Sequence, residues 1–413
     1  MKRLQYGLTA VLVAGLLAAT SGPVSAEPIT PEMDAWMKAA KLGPYDKGKE
    51  DWAAIVAKAK KEGEVVVYSS SSRIAKIAKS FNALYPEIKL KGFDLGSAKT
   101  VEKAVREMEA KVYNVDVIFT GGAGAMINEM LNKNRLINYV PDAYEDRIPK
   151  AFKHPLLVTR IEGMVFLYNA EAYPDAPPVK NIWELTLPKF KGRIAIKNPL
   201  ASLSTLMSVG VFVQHGDEMA AAYKRLTGKE IKLGPGIPNA GYEFWRRFLK
   251  NGAVIFKSGS KLARASGKKG QKKPLISFTQ MGKIVRNESK GLVNRILKDL
   301  DPVPMAIYPT YGAIARQAPH PNAAKVLIAY LLGSTKVTKD TKLEKPYSKG
   351  KSLELLQGFA PYHEPGTVSA RTDVPYAEGG ELWETMRGWI SDPDYIWKEA
   401  PKIRDFWTVE SAS

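Results

Sequence analysis

Residues 64–85 constrain the fold most, because a buried strand pattern is followed closely there by an amphipathic helix pattern. Residues 65–68 are β-branched and aromatic, as in a strand covered on both faces. From Ile74 onward, apolar residues recur every three or four positions, so one side of a helix can pack on a sheet. Four consecutive serines, residues 69–72, lie between the two elements, at the positive end of the helix. A ligand-binding loop and a capped, flexible connection are both compatible with this stretch.

Alternation of strands and helices continues through the first half of the chain. A second strand is predicted at residues 88–91, a helix at 100–112 and a third strand at 115–119. This order predicts a parallel sheet with right-handed crossovers, so the loops that follow its strands emerge at one edge. The third strand runs into Thr120, Gly121 and Gly122. The glycines match neither the dinucleotide fingerprint nor the phosphate loop, and a tight turn is the simpler interpretation.

The second half repeats this arrangement. Residues 187–199 are predicted to form a loop, a strand and a loop, and they precede a predicted helix whose amino end is rich in hydroxyl groups. Another strand, at residues 275–280, also ends in polar side chains. These patterns predict a second α/β lobe.

The amino terminus has the features of a secretory signal peptide. Lys2 and Arg3 precede a short apolar stretch, and a small-residue cleavage site ends at Ala26. No later stretch is apolar for long enough to span a membrane. We therefore expect an exported, soluble protein, cleaved after Ala26, in which residues 27–62 form a helical lead-in.

The composition argues against most catalytic and metal sites. Cysteine is absent, so neither disulfides nor thiolate ligands can form. His154, His215, His320 and His363 are scattered without ligand spacing, and no hydrolase or zinc-protease motif is present. We predict no enzyme activity, no cofactor and no bound metal.

The formal charge of +19 indicates an anionic partner. Nucleic acid is not expected, because the chain has an export signal and no zinc-finger or RNA-recognition motif. An exported protein that binds polyanions stays open as an alternative, and so does an exported enzyme whose turnover of a ligand would reveal it.

Three segments in order resemble the family 1 extracellular solute-binding proteins, the ferric-iron, thiamine, polyamine and phosphonate receptors of ABC importers. They are VFLYN at residues 165–169, LPKFKGRIAI at 187–196 and APHPNAA at 318–324. The resemblance covers residues 63–334 and includes the export signal.

The resemblance implies an α/β, two-lobed periplasmic-binding-protein fold of the type II kind, with a hinge of crossing strands and a ligand cleft between the lobes. The crossings would lie near residues 160–169 and 302–308. Residues 63–163 plus 303–334 would form the first lobe, and residues 164–302 plus 335–413 the second lobe with a C-terminal extension. A periplasmic monomer that delivers a small molecule to an inner-membrane permease is implied.

The iron-binding branch of this family is the less similar one. Its members have adjacent tyrosines where this chain has Phe278, Thr279 and Gln280, and often a histidine in the loop occupied here by residues 69–72. Tyr308 and Tyr311 are an alternative pair of ferric ligands, although hinge packing also explains them.

We therefore expect the ligand to be a small organic anion: a phosphonate, phosphate ester, sulfonate or carboxylate. Hydroxyl groups, helix ends and the Arg73 guanidinium would bind it. The candidate binding residues are Ser69, Ser70, Ser71, Ser72, Arg73, Thr120, Gly121, Gly122, Ser202, Ser204, Thr205, Ser277, Thr279, Tyr308 and Tyr311.

Overall fold

The computed structural model of the protein describes residues 26–46 and 48–412. The predicted signal peptide lies outside the described residues except for Ala26. Within the described ranges, no helix combines the length and apolar character that crossing a membrane requires.

The described residues form one mixed sheet surrounded by helices. The strands are β1 (Glu64–Ser69), β2 (Lys89–Asp94), β3 (Val117–Gly121), β4 (Leu136–Ile137), β5 (Val158–Asn169), β6 (Ile194–Lys197), β7 (Val254–Phe256), β8 (Ile276–Gln280), β9 (Asn294–Ile296), β10 (Met305–Ala315), β11 (Thr367–Ser369) and β12 (Gly388–Ile390). The α-helices are α1 (Pro31–Ala40), α2 (Trp52–Glu62), α3 (Ile74–Leu84), α4 (Ser97–Glu109), α5 (Lys150–Lys153), α6 (Leu203–Gln214), α7 (Gly216–Thr227), α8 (Ala240–Lys250), α9 (Gly259–Gly267), α10 (Arg286–Lys290), α11 (Pro321–Leu332), α12 (Gly350–Leu356), α13 (Leu382–Thr385) and α14 (Pro393–Ala412).

The sheet contains two parallel sets of strands joined by a pair of long antiparallel strands. Its order is β2-β1-β3-β10-β5-β8-β6-β7. β1 is parallel to β2 and β3, and β6 is parallel to β7 and β8, as the strand–helix alternation predicts. β10 pairs with β3 in the first half, β5 pairs with β8 in the second, and β5 and β10 pair with each other. The two crossing strands therefore connect the halves where crossings were predicted.

The strand and helix that open the first half are formed by the predicted residues. Val65 and Val67 are fully buried in β1, and Ile74, Ile77 and Phe81 form the buried stripe of α3. The three- and four-residue spacing of the apolar residues thus determines which side of α3 packs on the sheet.

The tail that the predicted division groups with the second lobe contacts both halves. A 3-10 turn at Gln357–Tyr362 packs on α3 and α11 of the first half, whereas α14 packs on α6 and α8 of the second. β11 extends the sheet beside β5, and β12 beside β10.

A buried carboxylate holds three elements of the first half together. Asp116, which has no exposed surface, accepts hydrogen bonds from the backbone N–H groups of Val66 (2.7 Å) and His320 (2.7 Å). Its second oxygen also lies 3.0 Å from His320 Nδ1. This hydrogen bond raises the pKa of His320 despite its partial burial.

We expect Asp116→Ala to lower the free energy of unfolding by about 3 kcal/mol, because backbone donors then lose their charged acceptor in the interior. Asp116→Asn retains one carbonyl acceptor and should cost clearly less. Urea denaturation of the three proteins measures the difference, and equal losses for both variants would contradict this role.

Candidate functional site

The two crossing strands form the floor of a cleft of about 140 Å³ between the halves. Tyr308 lies opposite Glu162, and Thr310 opposite Arg160, in the antiparallel register of β10 and β5. Because alternate residues of a strand share a face, these four side chains point to the same side of the sheet. All the residues that line the cleft are Ser70, Ser71, Arg73, Gly96, Ser97, Gly121, Arg160, Glu162, Lys197, Ala201, Ser202, Ser204, Gln280, Lys283, Tyr308, Thr310, Tyr362 and Glu364.

Arg160 is the most enclosed charge in the cleft, with 4% of its side chain exposed. Its Nε donates to Glu162 Oε2 at 3.1 Å, and its guanidinium lies 3.7 Å from the ring centre of Tyr362 and 4.9 Å from that of Phe119. Its Nη1 is buried and has no hydrogen-bond partner among the described residues. A buried donor without an acceptor is costly, so this atom indicates where an anionic group would bind.

The positive charges around Glu162 keep its carboxyl group ionised. Burial acts to raise the pKa of its carboxyl group, but the Arg160 and Arg73 guanidinium groups hold that pKa below its ordinary value. Its Oε2 also accepts a hydrogen bond from Thr310 Oγ1 at 3.0 Å. Glu162 therefore balances part of the positive charge.

Further cations come from both halves. Arg73 Nη2 pairs with Glu364 Oε2 at 2.7 Å, and Lys197 Nζ donates to Ser202 Oγ at 3.1 Å. Burial, together with the nearby Arg73 charge, lowers the pKa of Lys283 to about 8. Counting the described residues, four cationic side chains and two carboxylates line the cleft, which leaves an excess of positive charge.

Two helix amino ends meet at the cleft. α4 begins at Ser97 and α6 at Leu203, and the Leu203 N–H donates to Ser97 Oγ at 3.0 Å. Ser70 and Ser71, which line the same cleft, precede α3. Helix amino ends attract negative charge, so they add to the field of the four cations.

The structure places seven of the fifteen candidate residues in the wall of the cleft. They are Ser70, Ser71, Arg73, Gly121, Ser202, Ser204 and Tyr308.

The other eight candidates do not line the cleft. Ser72 is exposed, Gly122 borders a second, mostly apolar cavity, and Tyr311 is buried. The hydroxyl groups of the remaining five make internal hydrogen bonds. They are Ser69 (from Ser71 N, 3.2 Å), Thr120 (to Gly121 O, 3.2 Å), Thr205 (to Ser202 Oγ, 3.1 Å), Ser277 (to Ser266 Oγ, 3.0 Å) and Thr279 (to Gln280 Oε1, 3.2 Å).

The missed cleft residues include most of the charged ones. The sequence contains a signal for Arg160 and Glu162, because charged residues at alternate positions of an otherwise apolar strand mark one functional face of that strand. No sequence signal identifies Tyr362 and Glu364, since they belong to the C-terminal tail, about 200 residues after Arg160 along the chain. The full set is Gly96, Ser97, Arg160, Glu162, Lys197, Ala201, Gln280, Lys283, Thr310, Tyr362 and Glu364.

The phenol groups proposed as ferric ligands differ in position. Tyr308 lines the cleft, but burial and then the Glu162 charge raise its pKa well above the ordinary value, which disfavours the phenolate. Burial also raises the pKa of Tyr311. Within the described ranges, no three His, Asp or Glu side chains are grouped so that they could hold a metal ion.

The depressed pKa of Lys283 predicts a pH effect. The unfolded chain keeps this proton up to the ordinary value of 10.5, whereas the folded protein releases it near pH 8. The unfolded state thus binds more protons between those values, so the Lys283 contribution to stability rises with pH.

We expect the free energy of unfolding of the wild type to increase, relative to that of Lys283→Arg, between about pH 8 and about pH 10.5. The arginine keeps its charge over this range, so the difference between the two proteins reports the proton that Lys283 releases. Guanidinium denaturation at several pH values measures it, and parallel pH profiles would show that Lys283 is not desolvated.

Neither a family model nor a curated protein sequence matches this chain. Solved structures are similar to it in fold. Iron-bound HitA from Pseudomonas aeruginosa is 14% identical with a TM-score of 0.60, over 83% of this chain and 99% of HitA. The periplasmic binding protein AfuA from Actinobacillus pleuropneumoniae, with fructose-6-phosphate bound, is 18% identical with a TM-score of 0.59, over 85% of this chain and 99% of AfuA.

A substrate-binding protein of an ABC transporter from Agrobacterium tumefaciens is similar to the same extent. It is 12% identical with a TM-score of 0.60, over 84% of this chain and 94% of its own. This chain therefore has the two-lobed α/β fold of periplasmic substrate-binding proteins, as its sequence predicts.

Proposed function

We propose that this protein is the substrate-binding receptor of an ABC importer, and that it captures a small organic anion in the cleft between its lobes. The observation that supports an anion most directly is the buried Nη1 of Arg160, which has no hydrogen-bond partner in the part of the chain that the structure describes. Phosphonates, phosphate esters, sulfonates and carboxylates all present the oxygen acceptors that this atom lacks.

The rest of the cleft favours the same ligand class. Each charge-assisted hydrogen bond contributes about 1.5–3 kcal/mol, so two or three would reach micromolar affinity after the cost of association. A cleft of about 140 Å³ fits a small ligand rather than a polymer, which argues against the polyanion-binding alternative.

The similar structures support a receptor without identifying its ligand. One is described as a substrate-binding protein of an ABC transporter, one binds iron and one binds fructose-6-phosphate. For this chain, the positive charge of the cleft and the raised pKa of Tyr308 oppose a ferric ion as the substrate.

The proposed cycle combines the two-lobed fold with the predictions made from the sequence. The protein acts in the periplasm as a monomer without enzyme activity, after cleavage behind Ala26. Its lobes, residues 63–163 plus 303–334 and residues 164–302 plus 335–413, close about β5 and β10 around the anion. The closed form then delivers the ligand to an inner-membrane permease.

A thermal-shift screen of the mature protein at fixed salt tests the ligand class. It should include phosphonates, phosphate esters, sulfonates, carboxylates, polyamines, thiamine and chelated ferric ion. An anion present at a hundred times its dissociation constant should stabilise the fold by about 2.7 kcal/mol. Stabilisation by cations or neutral sugars alone would exclude the proposal.

For the anion found, Arg160→Met should weaken binding at least about thirtyfold, because a charged and desolvated donor is lost. Arg193→Met is the matched control, since Arg193 bonds to the Tyr173 hydroxyl group and does not line the cleft. Isothermal titration of both variants measures the two affinities. Equal affinities would show that the ligand does not contact Arg160.

A further inference from the structure

A segment of the C-terminal tail, Gln357–Ser369, forms part of the cleft wall. Its first turn packs on α3 and α11, and its last three residues, β11, pair with β5. In that pairing, Thr367 lies opposite Glu162 and Ser369 opposite Arg160. The segment therefore runs alongside the strand that carries the central charge of the cleft.

Tyr362 of this segment contacts Arg160 through the face of its ring. The guanidinium carbon lies 3.7 Å from the ring centre, and Tyr362 is 2% exposed. Phe119 meets Tyr362 edge to face, with ring centres 5.9 Å apart, so the two rings form a corner around the guanidinium. The Tyr362 hydroxyl group is buried without a hydrogen-bond partner among the described residues, so the ring face is the part that acts.

Glu364 acts on the second arginine of the cleft. It pairs with Arg73 at 2.7 Å, and only 12% of its side chain is exposed. A Cβ atom added to Gly282 would lie 2.0 Å from Glu364 Oε1, and one added to Gly366 would lie 2.0 Å from Gly282 N. The segment is thus fitted between the first half and residue 282 of the second, with no space for side chains there.

We propose that Gln357–Ser369 completes the anion site, with Tyr362 as the positioning residue for Arg160. A ring packed against a guanidinium restricts its orientation and leaves its N–H donors available for hydrogen bonds, so Arg160 is oriented before the ligand binds and loses less entropy on binding. The statement about ligand binding rests on the proposed function, whereas the statement about Arg160 geometry does not.

The first measurement requires no ligand. The side-chain Nε–H signal of Arg160, assigned by its loss in Arg160→Lys, reports the ring stacked on the guanidinium. Tyr362→Leu should shift this signal strongly, and Tyr362→Phe should leave it nearly unchanged, since the ring stays. An unchanged signal in Tyr362→Leu would overturn the positioning role.

The second measurement is calorimetric titration with methylphosphonate and inorganic phosphate. Tyr362→Leu should bind either probe at least about tenfold more weakly than the wild type, and Tyr362→Phe within about twofold of it. Phe359→Leu is the control for general damage, because Phe359 is a buried ring of the same segment that contacts His363 rather than Arg160.

The outcomes separate the two proposals. Equal weakening by Tyr362→Leu and Phe359→Leu would overturn the positioning role, because any loss of packing would then suffice. If the wild type binds neither probe while the Arg160 signal responds as described, positioning is supported and the anion proposal loses its support.

Discussion

A guanidinium enclosed at the crossing of two strands is the interaction on which the cleft depends. Burying such a charge is expensive unless its donors are paired, and here Glu162 pairs with one edge only. The rings of Phe119 from β3 and Tyr362 from the tail lie against the guanidinium and form a corner around it. One half of the protein, both crossing strands and the tail must therefore come together to hold this single side chain.

Burial and neighbouring positive charge disfavour the charged form of two lysines in the cleft. Desolvation, together with the nearby charge of Arg73, lowers the pKa of Lys283 to about 8. Burial also lowers the pKa of Lys197. An anion would relieve both effects, since it brings opposite charge into a site of reduced dielectric constant.

Local patterns predicted the framework, but only part of the site. The buried stripe of α3 and the parallel strands follow from periodicity, which depends on neighbouring residues alone. Tyr311 was expected beside Tyr308, but residues three apart on a strand point to opposite faces of the sheet, and Tyr311 is buried outside the cleft. No pattern along the chain could place Tyr362 beside Arg160, because that contact depends on how the tail folds back over the sheet.

Under the proposed closure of the lobes, the attachment of the tail determines which parts of the site would move. Tyr362 belongs to a segment that pairs with β5 and packs on α3 and α11, and Phe119 lies on β3, so the Arg160 cluster is tied to β5 and to the first half. Lys197 and Ser202, in contrast, belong to the second half, and Ser97 to the first. Closure would therefore change the distance between the helix ends while Arg160 keeps its geometry. A ligand held first by Arg160 would then be enclosed by the hydroxyl groups and helix ends of both lobes.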